Sequence, residues 1–211
     1  MMRQRNYSFS IMVFVMVALL GLTACGIAET EATTPAALAP GEASESAGAL
    51  EPGVAEVREN LPADFQVTLY QGAELADGEQ VMFSELVGRG QPVVLNFWAG
   101  LCPPCRLEMP DLQAVSDEYE GRILLFGLDV GPFTGLGTRE DGRALINSLE
   151  VTYPAGATAD GNILREYEIR GMPTTYFILA DGRVFDTWTG LLTEAKLAEI
   201  VDEMLAASAG S

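Results

Sequence analysis

The spacing of apolar and polar positions changes several times along the chain, and each change predicts an element. Phe65-Gln-Val-Thr-Leu69 alternates with period two and reads as a strand, with Val81-Met-Phe83 as its partner across the Asp77-Gly78 turn. Pro92-Val-Val-Leu-Asn-Phe-Trp98 is almost continuously apolar, as a central strand covered on both faces must be. A helix is predicted from Pro103 to Tyr119, with Leu107, Leu112 and Val115 on its buried side. Arg122 to Val130 supplies the next central strand, and Thr138 to Leu149 and Asn162 to Tyr167 read as helices. Thr174 to Leu179 and Arg183 to Trp188 make a hairpin through Asp181-Gly182. Glu194 to Leu205 closes the pattern as an amphipathic helix with Leu197, Ile200, Val201 and Leu205 on one face. The order predicts an α/β domain over residues 61–207, with a central mixed sheet flanked by helices.

The pattern before this domain is of another kind. Arg3 and Arg5 precede an uncharged run from Asn6 to Ala28, whose apolar centre is Ile11 to Leu20. A basic start, a short apolar stretch and small residues describe a secretory signal, expected over residues 1–24. Leu22-Thr-Ala-Cys25 resembles a bacterial lipobox, which makes Cys25 the expected lipidation site and mature N-terminus. The alternative is an uncleaved membrane helix. Both place the domain on the extracytoplasmic face of the membrane, in the periplasm where a second membrane exists. Residues 25–60 are rich in Ala, Glu and Pro and lack aromatics, so a disordered tether is expected there.

Composition then narrows the chemistry. Twelve Lys and Arg stand against 30 Asp and Glu, a net charge of -18, which repels phosphate backbones and excludes nucleic acid as a partner. No histidine is present, which removes Ser-His-Asp and Cys-His nucleophile pairs and His-based metal sites. Neither a metal nor a cofactor is expected. Three cysteines remain: Cys25, Cys102 and Cys105.

Cys102-Pro-Pro-Cys105 falls where the strand ending at Trp98 gives way to a helix. A zinc half-site, a structural disulfide and a redox pair all use this spacing. Zinc lacks its further Cys or His ligands here, and a two-residue span constrains the unfolded chain little. A redox pair is the preferred reading at such a junction in an exported protein. With Cys102 at the N-cap and both prolines in the first turn, the Cys102 sulfur can accept from the Cys105 N–H. The positive helix end favours a Cys102 thiolate, so Cys102 is the expected attacking thiol and Cys105 the resolving one.

Further pieces carry a resemblance. Val94-Leu-Asn-Phe-Trp-Ala99, Cys102-Pro-Pro-Cys-Arg106, Glu108-Met-Pro110, Met172-Pro-Thr-Thr175, the Asp181-Gly182 hairpin and Gly190 occur in an order that resembles the thioredoxin superfamily, in its exported TlpA/ResA-like branch. The resemblance covers the domain from Leu61 to Leu205. It implies a thioredoxin-like fold with an N-terminal β extension and a central strand-helix insertion near Asp129 to Tyr153. It also implies a cis Pro173 beside the cysteines, a Met172 backbone that pairs with substrate, and Trp98 and Leu101 at the substrate-binding surface. Pro110 would kink the long helix by freeing the Arg106 carbonyl.

The chain departs from the family pattern at several positions. Asn96 stands where cytoplasmic thioredoxins carry a buried Asp, Leu101 where an aromatic is usual, and Pro132 where some relatives have an acid. Glu108 and Asp129 are the nearest carboxylates by sequence, and Glu108 is the candidate for proton transfer, set against a plain surface charge beside Arg106.

The activity implied is that of a membrane-anchored thiol–disulfide oxidoreductase. It would reduce disulfides of exported proteins, apocytochrome c among them, and be re-reduced by a thiol protein of the membrane. A peroxiredoxin-like peroxidase and a redox-inert binding or metal-delivery module are the alternatives.

Overall fold

The structure is a computed structural model and describes residues 57–209. The expectations for residues 1–24, for Cys25 and for the tether up to residue 56 lie outside the described residues. The last four tether positions, 57–60, are helical. Val57 is buried in the core, Asn60 donates to the Asp181 carbonyl at 2.8 Å, and Arg58 pairs with Asp64 at 2.7 Å. Order therefore begins no later than Val57, ahead of the boundary expected at residue 61.

In chain order the elements are β1 (Gln66–Gln71), a 3-10 turn (Ala73–Leu75), β2 (Gln80–Met82), α1 (Phe83–Val87), β3 (Val93–Trp98) and α2 (Pro103–Glu118). There follow β4 (Leu124–Asp129), α3 (Gly131–Thr134), α4 (Arg139–Ser148), β5 (Ala155–Thr158) and α5 (Ile163–Glu166). The chain closes with β6 (Thr174–Ile178), β7 (Val184–Thr189) and α6 (Glu194–Ser208). Among the described residues the strands form one seven-stranded sheet in the order β2-β1-β5-β4-β3-β6-β7. The β3–β4 and β4–β5 pairs are parallel and the others antiparallel, so the sheet is mixed, as expected.

Side chains alternate across β3, and the two cores divide accordingly. Val94 and Trp98 face one core with Met109, Leu112, Val115, Leu197, Ile200 and Val201, under α2 and α6. Val93, Leu95 and Phe97 face the other, where Phe65, Phe83, Phe126, Tyr167 and Tyr176 pack ring on ring. No described helix is long and apolar enough to cross a membrane.

Two expectations are corrected, and one strand lies where none was expected. Leu107 is 68% exposed; the buried stripe of α2 is Cys105, Glu108, Met109, Leu112 and Val115, at helical spacing. Val81 and Met82 pair with β1 as expected, opposite Val67 and Gln66, across a connection that holds a 3-10 turn and Asp77-Gly78, but Phe83 leaves the strand and begins α1. Ala155-Gly-Ala-Thr158, low in strand-favouring residues, forms β5. Gly156 is needed there, because a Cβ would stand 2.6 Å from the Thr68 carbonyl oxygen.

Candidate active site: a disulfide at a helix N-terminus beside a buried carboxylate

β3 delivers the chain to the site, and α2 leaves from it. Cys102 is the N-cap of α2 with extended backbone, Pro103 and Pro104 occupy the first turn, and the Cys102 sulfur accepts from the Cys105 N–H at 3.3 Å. That is the arrangement expected from the sequence. Proline costs nothing in this turn, where an N–H has no intrahelical partner. Cys102 and Cys105 are disulfide-bonded, with their Cα atoms 5.3 Å apart. Cys105 is fully buried, whereas Cys102 keeps a small exposed area that opens onto a groove. Pro110 lies inside α2 and leaves the Arg106 carbonyl without an N–H four residues on.

The loop before Cys102 is held by the insertion. The Leu101 N–H donates to the Leu136 carbonyl at 2.7 Å, and the Cys102 N–H to the Ala99 carbonyl at 3.1 Å. Gly100 lies against the start of α4: a Cβ would come within 2.5 Å of the Asp141 carbonyl carbon and 2.6 Å of the Gly142 nitrogen. Loop and insertion therefore form one unit.

The groove has a volume of about 340 Å³ and runs from Cys102 and the two prolines to Met172, between Leu136 of the insertion and Leu164 and Ile169 from α5 and its exit. Leu101, 60% exposed, stands clear of the core beside the cysteines. Pro173 is buried behind a cis Met172–Pro173 bond. The structure thus brings Cys102 and Met172 to one groove, as expected. Trp98 is the exception: it is fully buried and supports the loop from beneath, so the substrate contact expected of it is corrected.

Glu108 is not a surface charge. It is fully buried on the face of α2 that meets β3; Asn96 Nδ2 donates to its Oε1 at 2.8 Å and the Leu192 N–H to its Oε2 at 3.1 Å. Asn96 Nδ2 also reaches Thr175 Oγ1 at 3.0 Å. Burial pushes the Glu108 carboxyl up to about 7, partly offset by the Leu192 and Asn96 donors, with Asp111 adding to the rise. Asn96 itself cannot take a proton, but it holds a carboxylate that can. Asp129, the other candidate, is buried at the end of β4, where it accepts from Tyr70 Oη and the Gly131 N–H, both at 2.9 Å. Burial raises its carboxyl as well.

Sequence reasoning missed the groove walls and the Asn96–Thr175 contact. These residues are far apart in the chain and meet only through the β3–β6 pairing and the packing of α3 and α5. Among the described residues no group of three or more His, Cys, Asp or Glu is arranged to hold a metal ion.

Residues 59–186 match the AhpC/TSA family model. A thiol–disulfide oxidoreductase ResA of Oceanobacillus iheyensis is 34% identical over 141 residues, 67% of this chain and 69% of that protein. Two solved structures share the fold. A DsbE-type thiol:disulfide interchange protein of Chlorobium tepidum has a TM-score of 0.56 and 21% identity, over 71% of this chain and 95% of that one. The exposed lipoprotein thioredoxin Etrx1 of Streptococcus pneumoniae also has a TM-score of 0.56, at 23% identity over 67% of this chain and 99% of its own. A CxxC disulfide capping a helix on a thioredoxin-like sheet, with these relatives, means that the chain belongs to the AhpC/TSA family and is a thiol–disulfide oxidoreductase of the ResA type.

Proposed function

We propose that the protein is a membrane-anchored reductant of disulfides in exported proteins, with c-type apocytochromes among its substrates, re-reduced by a thiol protein of the membrane. The observation that carries this reading is the pairing of Cys102, at the groove, with a buried carboxylate of raised proton affinity on the same helix as Cys105. The Cys102 thiolate attacks one sulfur of a substrate disulfide, forming a mixed disulfide and releasing the other substrate sulfur as a thiolate. Cys105 gives its proton to the Glu108 carboxylate and attacks the Cys102 sulfur. The mixed bond breaks, the second substrate thiolate leaves, and the Cys102–Cys105 disulfide forms. Two electrons pass to the substrate. Met172 lines the groove, and with Pro173 behind it and the exposed Leu101 it would seat the substrate strand, the Met172 backbone pairing with that strand.

Anchoring through a lipidated Cys25 rests on Leu22-Thr-Ala-Cys25 and the uncharged run before it. The direction of electron flow is tested by equilibrating the protein in thiol/disulfide buffers and reading the Cys102–Cys105 state by alkylation and mass analysis. A potential below about -230 mV is expected, and one above about -150 mV would overturn the reductant role. The anchor is tested by following C25A, which should leave the membrane fraction.

A further inference from the structure

Asp129 is a buried carboxylate that the exchange chemistry does not use, placed where the sheet passes into the insertion. It ends β4, opposite Trp98, and both of its oxygens are engaged. Oδ1 accepts from the Gly131 N–H and Oδ2 from Tyr70 Oη, each at 2.9 Å. Two acceptors on one short side chain suit a carboxylate, and a bond to the N–H two residues on is the turn that Asp favours. Tyr70 is held in turn, since the Arg143 guanidinium of α4 covers its ring at 4.2 Å. Gly142 of α4 lies against the carboxylate, where a Cβ would stand 2.2 Å from Oδ2. No other residue would let α4 close on Asp129 in this way.

From Asp129 a line of hydrogen bonds runs to the groove. The carboxylate fixes the Gly131 N–H, and the Gly131 carbonyl accepts from Thr134 Oγ1 at 3.2 Å and from the Leu136 N–H at 3.3 Å. The Leu136 carbonyl accepts from the Leu101 N–H at 2.7 Å. Thr134 and Leu136 line one side of the groove, and Leu101 stands exposed beside the cysteines. Cys102 is secured separately, by the Cys105 N–H of α2. We propose that Asp129 is a positioning residue that sets the Thr134–Leu136 wall and the Leu101 backbone, and so favours disulfides carried on a peptide strand, with Tyr70 holding its carboxylate in place. This rests on the reading of the groove as the seat of the substrate. The thiol chemistry of Cys102 does not pass through Asp129; the fit of the substrate does.

The test compares the full chain in detergent with D129L, which keeps the branching but has no acceptor, with D129N, which keeps one acceptor oxygen, and with Y70F. Hydrogen exchange, read by fragment mass spectrometry, should be about tenfold faster in D129L in the fragments holding Leu136 and Leu101, and unchanged over β6 and α6. KM for a peptide disulfide should rise about fivefold, the worth of one such hydrogen bond, while the rate on hydroxyethyl disulfide, too small to span the groove, stays within about twofold. D129N should recover most of the KM, and Y70F should shift it in the same direction as D129L by a smaller factor. Unchanged exchange at Leu136, or equal losses on the two disulfides, overturns the proposal. Where D129L does not fold, Y70F decides in its place by the same two readouts. A wild type with no preference for the peptide over hydroxyethyl disulfide would sink the reading of the groove, while exchange at Leu136 still decides whether Asp129 holds the wall.

Discussion

The Asn96 amide donates to the Glu108 carboxylate at 2.8 Å, wholly out of solvent, and this bond joins the strand that leads to Cys102 with the helix that follows it. A carboxyl held there is charged at a cost, because burial outweighs its two donors.

Glu108 should therefore make stability depend on pH. Its folded pKa of about 7 lies above the ordinary 4.5, so its contribution is fully present below about 4.5 and is lost as pH rises through 7. The loss is roughly 2–3 kcal/mol. Urea unfolding of the oxidised protein at pH 4.5 and pH 8 should show that difference, and E108Q should remove most of it. An equal slope in both proteins would count against the buried charge.

The two cysteines should fail differently. C102S should bring disulfide exchange to background, since the thiol opening on the groove is gone. C105S should still attack but stall as a mixed disulfide, visible as a mass increase that a reductant reverses. Trapping by C102S instead would reverse the assigned roles.

Gly100→Ala should destabilise the protein by about 1–3 kcal/mol, the usual penalty of overpacking. The colliding atoms belong to the α4 backbone and cannot swing aside as a side chain would. The midpoint of urea unfolding reads this directly, and a change below about 0.5 kcal/mol would mean that loop and insertion are not one unit.

Leu101→Ser should separate binding from stability. Leu101 is largely exposed, so stability should shift by less than about 0.5 kcal/mol. Its loss should lower kcat/KM for a peptide disulfide about tenfold, through lost apolar contact. Steady-state kinetics with a fluorogenic peptide disulfide would show it; unchanged kinetics would remove Leu101 from the substrate surface.

How much of this was legible in the sequence depended on how local each signal was. β3 and α6 were legible because a continuous apolar run and a 3.6-residue stripe are strong patterns within one segment. The Cys102 cap was legible because its partner is three residues away. β5 was not, since Ala-Gly-Ala-Thr is chosen for close packing between β1 and β4 rather than for strand propensity. Leu107 misled because an apolar residue was assumed to face inward, when its position two residues after Cys105 turns it away. Glu108 resembled a surface charge for the converse reason: its two partners, Asn96 and the Leu192 N–H, come from elsewhere in the chain.

The sheet also separates two duties. Phe65, Phe83, Phe97, Phe126, Tyr167 and Tyr176 interlock on the side opposite the cysteines, which pack in the other core. That side can hold the domain together at constant strength through every catalytic cycle. The cysteine side is then free to alternate between a disulfide and two thiols, and the reversible wear of electron transfer falls on only one half of the molecule.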